Sequence, residues 1–315
     1  MLLRSLSFLS VLSIAAALPA AAGASKLIDR NATDLKLAVN KQGQALLNYR
    51  ARGRVTHVLA WGAINALAPT TSRPQVKFKV DYAGGWGTYR RDVSKTFKDA
   101  CRTYDGPKLP WLVTACKAPD GSYWAVQSWQ HVLPNLGFRP WLPWQTDWWL
   151  LLSHWSGPLA KLEVWHDWVY GGRYHELFGR LTYAGRPVYG FHTTPSGARL
   201  DRYGALLALD TYNSPLGRGW KRENSFVSHN PTGVFCYHFV ARKPSPGYPA
   251  RKPLRGNGEK YRITVTGPGV TPDIMWQGTG LHDFDKSNPD DVAYEARMND
   301  ILDLVMAGDK RCRHH

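Results

Sequence analysis

The chain has 315 residues, a formal charge of +16 and 43% hydrophobic residues. That is enough apolar material to bury a core of its own, which excludes intrinsic disorder, a collagen-like repeat and a multi-span membrane protein. Four cysteines exclude a small disulfide-stapled scaffold; the unusual count is tryptophan, with ten of fourteen between Trp111 and Trp168.

Residues 1–24 read as a secretory signal. Arg4 supplies the positive start, residues 6–17 an apolar run, and Ala22-Gly23-Ala24 a small-residue cleavage site before Ser25. The expected product is secreted, extracellular or periplasmic, and the alanine-rich leader points to a bacterial source. A retained leader would be a membrane anchor instead, since about 20 apolar residues span a bilayer. Residues 25–315 are then expected to form a single β-rich domain.

Glycine and proline punctuate that domain about every 8–12 residues, with Val, Ile, Thr and aromatics between. The pattern predicts an all-β sandwich or barrel of antiparallel meanders. Strands are expected at 35–39, 45–50, 55–61, 76–82, 112–117, 123–129, 204–211, 234–241 and 261–266. Ala118-Pro119-Asp120-Gly121-Ser122 joins two of them as a turn, with Pro at i+1 and Gly where φ is positive. In an exported chain Cys101, Cys116, Cys236 and Cys312 are expected to be oxidised. Three pairings are open. Cys101 with Cys116 closes the shortest loop, a crosslink worth about 3 kcal/mol, and Cys236 with Cys312 would pin the C-terminal tail.

The stretch 148–194 reads as a meander turning at Ser156-Gly157-Pro158, Gly171-Gly172 and Ala184-Gly185. A Gly171-Gly172 hairpin sets Glu163 opposite Arg180, Trp165 opposite Phe178, Leu162 opposite Leu181 and Trp168 opposite His175. The Ala184-Gly185 turn sets Leu181 opposite Val188, Phe178 opposite Phe191, Gly179 opposite Gly190 and Leu177 opposite His192.

Two candidate sites follow. On one face His166, Leu177 and His192 form a row, with His175 one step along the central strand. Such imidazoles can converge on a single transition metal with an open coordination position; packed histidines without any cofactor are the plainer alternative. On the other face Asp167 stands opposite Glu176. Opposed like charges need a cation, a shared proton or a role, and a carboxyl pair is the acid/base apparatus of glycoside hydrolysis. Within the tryptophan-rich stretch, Trp141, Trp144, Trp148, Trp149 and Trp168 are candidates for stacking on sugar rings, against the alternative of a large aromatic core.

Residues 218–262 hold ten Lys or Arg against two Glu, and 242–258 is a loop with four prolines. Such a basic segment attracts polyanions or a membrane surface. Export favours an anionic cell-wall polymer or phospholipid over nucleic acid. The last element is a helix at about 289–307, capped by Asn288 with Pro289 at N1. Tyr294, Met298, Ile301, Leu302 and Val305 form its apolar stripe, and Gly308 closes it. Asp283, Asp285 and Ser287 resemble the opening of a calcium loop, but Asn288 stands where Gly is needed and Tyr294 where Glu is needed. GxSxG, HExxH, P-loop and dinucleotide motifs are absent. The leading expectation is non-covalent binding of a carbohydrate or anionic envelope polymer. The alternatives are a secreted hydrolase using one of the two candidate sites, and an envelope protein that binds partners or serves structure.

Overall fold

The computed structural model describes residues 25–67, 72, 76–130, 147–188, 207–214, 217–223, 226–229, 233–239 and 258–307. The elements in chain order begin with β1 (Lys26–Arg30), β2 (Thr33–Val39), β3 (Ala45–Ala51), β4 (Arg54–Gly62), β5 (Phe78–Asp81) and a helical turn, α1 (Trp86–Tyr89). Then follow β6 (Leu112–Lys117), β7 (Tyr123–Gln130), β8 (Trp148–Trp155), β9 (Lys161–Val169), β10 (Tyr174–Tyr183) and β11 (Arg186–Pro187). The chain continues with β12 (Leu207–Ser214), β13 (Gly217–Arg222), β14 (Phe226–His229), β15 (Val234–Phe239), β16 (Lys260–Val265), β17 (Ile274–Thr279) and α2 (Pro289–Val305). The fold is all-β and antiparallel with one long C-terminal helix.

Two sandwiches share the work. Sheets β1-β8-β7-β6 and β2-β3-β4-β5 enclose one core, in which Val39, Leu47 and Val58 meet Trp124, Val126 and Leu152. In the second half β10 lies beside β9 and β15, and β13-β12-β16-β17 faces this sheet across Trp168, Leu177, Phe235, Tyr261 and Ile263. On the sheet's other face Leu302 of α2 and its C-cap residue Met306 pack on Phe178, Val234 and Cys236. The helix begins as its sequence predicts, with the Asn288 side chain accepting a hydrogen bond from Asp290 N. Asp285 accepts from Ser287 N and Oγ and so shapes the approach to the helix.

The β9–β10 register matches expectation at every predicted pair, although Tyr170 and Arg173 join the glycines in the loop. The next hairpin matches only at its start: Thr182 pairs with Pro187, and Val188 N donates to Leu181 O. Beyond that point the expectation fails, because β15 occupies the edge of β10 and sets Tyr237, Cys236 and Phe235 opposite Leu177, Phe178 and Gly179. Pro187 cannot donate to a ladder, whereas Val234–Phe239 contains neither Pro nor Gly and favours a central place. Phe191, Gly190 and His192 lie outside the described residues. The turn at Ser156-Gly157-Pro158 also differs, because β8 pairs with β7 and β1 while β9 belongs to the second sandwich. It passes the chain from one sandwich to the other.

The halves are joined by the buried β16–β17 loop. Val270 enters the first core, and His154 N donates to Val270 O at 2.8 Å. Gly269 has φ +63°, and a Cβ there would lie 2.7 Å from that of Ala66, so glycine is required by both conformation and space. A second link is a stack: the Arg262 guanidinium lies 4.3 Å from the Trp220 ring and 5.4 Å from Trp111. Trp111 in turn stacks on Trp129 at 5.8 Å. Much of the tryptophan count therefore holds the architecture together.

Candidate functional site

The sequence-predicted titratable residues are brought together but covered. Asp167 faces Glu176 across β9 and β10, and both are essentially fully buried. Asp167 Oδ1 accepts from Trp168 N at 2.8 Å. Glu176 Oε1 lies 3.0 Å from Nε2 of His238, the residue opposite it on β15. The two atoms are close without the alignment of a hydrogen bond, and the Glu176 carboxylate has no hydrogen-bond partner among the described residues. Cys236 sits beside this row, so that Glu176, Cys236 and His238 have the spacing of metal ligands. Cys236 is disulfide-bonded, however, and a disulfide sulfur is not the thiolate a metal needs. The row is a buried pair of acids with a partly exposed imidazole at one end, on the face of the sheet where α2 packs on Phe178 and Cys236.

The histidine row is rearranged in the same way. His175 Nδ1 bonds the Tyr261 hydroxyl in the second core, and Tyr261 OH also accepts from Leu281 N at 3.4 Å. His166 lies among the rings of Tyr261, Trp276 and Tyr294, and burial pushes its pKa down to about 4. The third imidazole expected, His192, lies outside the described residues, and Tyr237 takes the position opposite Leu177. Of the stacking candidates, Trp168 is corrected to core: it is 2% exposed and its Nε1 donates to His282 O. Trp149 is half-buried against Trp129, Trp148 is exposed, and Trp141 and Trp144 lie outside the described residues. The Cys101–Cys116 disulfide forms as expected. Cys312, residues 1–24 and residues 242–257 are outside the described residues.

A site that sequence reasoning missed lies on the first sandwich. A cleft of about 520 Å³ opens between the β2–β3 turn and the segment 89–100. Asn40 builds one wall: its Oδ1 accepts from Gln42 N and Gln44 N, at 3.0 and 2.9 Å. The other wall is a 3-10 turn, Val93–Lys95, capped by Asp92 and anchored by Val93 against Leu46 and Leu59. At the base, Asp99 Oδ1 accepts from Val39 N and Cys101 N at 3.0 and 2.9 Å, next to the disulfide. These bonds give the cleft a rigid frame before any ligand arrives.

Lys41, Arg91 and Lys98 line this cleft, and among the described residues none makes an ion pair with a carboxylate. Phe97 and Tyr89 add ring surface, with Tyr89 OH held by Gln44 Nε2 at 2.5 Å. Tyr82, Trp86 and Tyr89 are 53%, 58% and 42% exposed, a local run of uncovered rings. Gly85 makes the turn that presents them, since its φ is +105° and a Cβ would meet Val93 at 2.5 Å. The sequence did carry a signal: Gly84-Gly85-Trp86-Gly87 places an indole among glycines where no core periodicity exists, with Arg90 and Arg91 close behind.

The chain matches no family model, no curated protein and no solved structure. Its chemistry must be read from its own residues. Three cations with no carboxylate partner among the described residues, and adjacent rings, suit an anion on a sugar-like scaffold, with ammonium and guanidinium groups holding the charge and rings the apolar faces.

Proposed function

We propose that this is an exported protein that binds an anionic carbohydrate polymer of the cell envelope non-covalently, at the 40–44/89–100 cleft. The observation that carries the reading is the grouping of Lys41, Arg91 and Lys98 around a preformed cleft bordered by Tyr89 and Phe97. The expected leader at 1–24 and the Cys101–Cys116 disulfide support export. No helix among the described residues is long and apolar enough to cross a membrane. The basic segment 218–262 would add long-range attraction for the same polymer, and Trp148 a further ring surface.

The test is affinity electrophoresis of the mature chain through gels containing polygalacturonate, a neutral glucan, or no polymer. Retardation in polygalacturonate alone, lost in a Lys41→Ala/Arg91→Ala/Lys98→Ala variant of unchanged stability, supports the reading. Equal mobility of wild type and variant in the anionic gel defeats it.

A hydrolase reading keeps one observation in its favour. The His238 side chain is 21% exposed, so the Asp167–Glu176–His238 row touches solvent at one end. Release of reducing sugar that disappears in Glu176→Gln would favour it over simple binding.

A further inference from the structure

The loop between β16 and β17 carries Asp273, a carboxylate removed entirely from solvent. Three donors aim at it: Ser25 Oγ at 2.6 Å, Gly267 N at 3.0 Å and Trp129 Nε1 at 2.6 Å. Its backbone is held as firmly, with Asp273 N donating to Gln127 Oε1 and Gln127 Nε2 donating to Asp273 O, at 2.8 and 3.0 Å. No lysine, arginine or histidine among the described residues reaches it. Hydrogen bonds offset only part of the cost of removing a charge from water, and burial accordingly raises the Asp273 pKa; a cation beside it would favour the ionised form.

Such a cation has a source in the chain itself. Ser25, the residue bonded to Asp273, directly follows the Ala22-Gly23-Ala24 cleavage site and is itself 2% exposed. While residue 24 is attached, the Ser25 nitrogen is a neutral amide. Hydrolysis of the Ala24–Ser25 bond by water and a leader peptidase leaves a carboxylate on Ala24 and an amine on Ser25, which takes up a proton at neutral pH. That nitrogen is three bonds from Oγ, so covalent geometry keeps it within about 4–6 Å of the carboxylate.

We propose that leader removal after Ala24 creates a buried ammonium–carboxylate pair between Ser25 and Asp273, and that this pair locks the β16–β17 loop between the two sandwiches. Cleavage is then a maturation step that completes the fold as well as releasing the chain. The same loop sends Val270 into the first core, and Trp129 and Gln127 belong to β7, so one new charge consolidates contacts to both halves. The inference rests on the export reading for where the bond is cut, but the pairing is measurable without it.

The experiment uses full-length mature chains cut from a removable tag. One starts at Ser25, one retains Gly23-Ala24, and one starts at Ser25 with its amine acetylated. Each is made with Asp273 and with Asp273→Asn, and urea denaturation gives the folded-to-unfolded ratio. The proposal expects the Ser25 start to exceed the extended and acetylated chains about tenfold or more with Asp273, and less than about twofold with Asp273→Asn. Equal stability of the free and acetylated Ser25 chains overturns it. So does an extension penalty of the same size in both backgrounds, which would mark crowding alone. If Asp273→Asn does not fold, the free-against-acetylated comparison in the Asp273 chain decides by itself. Intact mass of the protein exported by a bacterial host tests the cut separately. A start other than Ser25 would overturn the maturation step while leaving polymer binding untouched.

Discussion

Around the cleft of the first sandwich, Lys41 and Lys98 stand in solvent with Arg91, and no carboxylate among the described residues pairs with them. In the second sandwich Asp167 and Glu176 are buried, and His175 is bonded to Tyr261 inside a core. Both regions are rich in groups that do chemistry; among the described residues those of the first stand in solvent, while those of the second are buried apart from the edge of His238. The difference teaches that residue type nominates a site and accessibility elects it. Buried ionisable groups here shape stability and its pH dependence, while exposed ones set what the molecule attracts.

The largest effect should come from the seam between these regions. Asp273→Ala leaves Ser25, Gly267 and Trp129 donors buried without an acceptor, and should cost about 3–5 kcal/mol in urea denaturation. A loss below about 1 kcal/mol would mean the two halves do not depend on that contact.

Acid should come next. Burial pushes the His154 and His166 pKa values from 6.5 to about 4, so both imidazoles fold neutral. Protonation then favours the unfolded chain: their contribution is complete above pH 6.5 and is lost as pH falls toward 4, by about 2 kcal/mol or more each. Glu223, raised to about 7 by burial, has the opposite sign, losing stability as pH rises from 4.5 to 7. The comparison that isolates the histidines is therefore His154→Gln against wild type, in which the variant should show the shallower loss between pH 6.5 and 4.

Removing single cleft cations should weaken polymer binding by several-fold to about tenfold each, with stability changed by less than about 0.5 kcal/mol. Arg180→Ala marks the lower end. Its pair with Glu163, 2.7 Å apart, is 46% exposed on the arginine side, and losing it should cost under about 1 kcal/mol.

Local pattern carried the reading of the second half a long way. The alternation in Lys161–Val169, the glycine turn and the Asn288 cap fixed a register, a face and a helix start, because each is decided within about twenty residues. What pattern could not supply was the neighbour brought from elsewhere. Val234–Phe239 displaces the expected partner of β10, and α2 packs on Phe178 and Cys236; both are tertiary events between segments far apart in sequence. The cleft was missed for the same reason, since the Asn40–Gln44 turn and residues 89–100 meet only in the folded chain. The tryptophans were ambiguous because indole serves cores and surfaces alike: Trp124 and Trp155 are fully buried, while Trp86 and Trp148 are exposed.

The most direct test of the central claim is the salt dependence of polygalacturonate binding, measured by titration calorimetry on wild type and on the Lys41→Ala/Arg91→Ala/Lys98→Ala variant. Binding through the cleft predicts that affinity falls with salt for wild type, and that the variant binds more weakly with a visibly shallower slope. Identical affinity and slope for the two proteins would contradict it and move the polymer's site elsewhere.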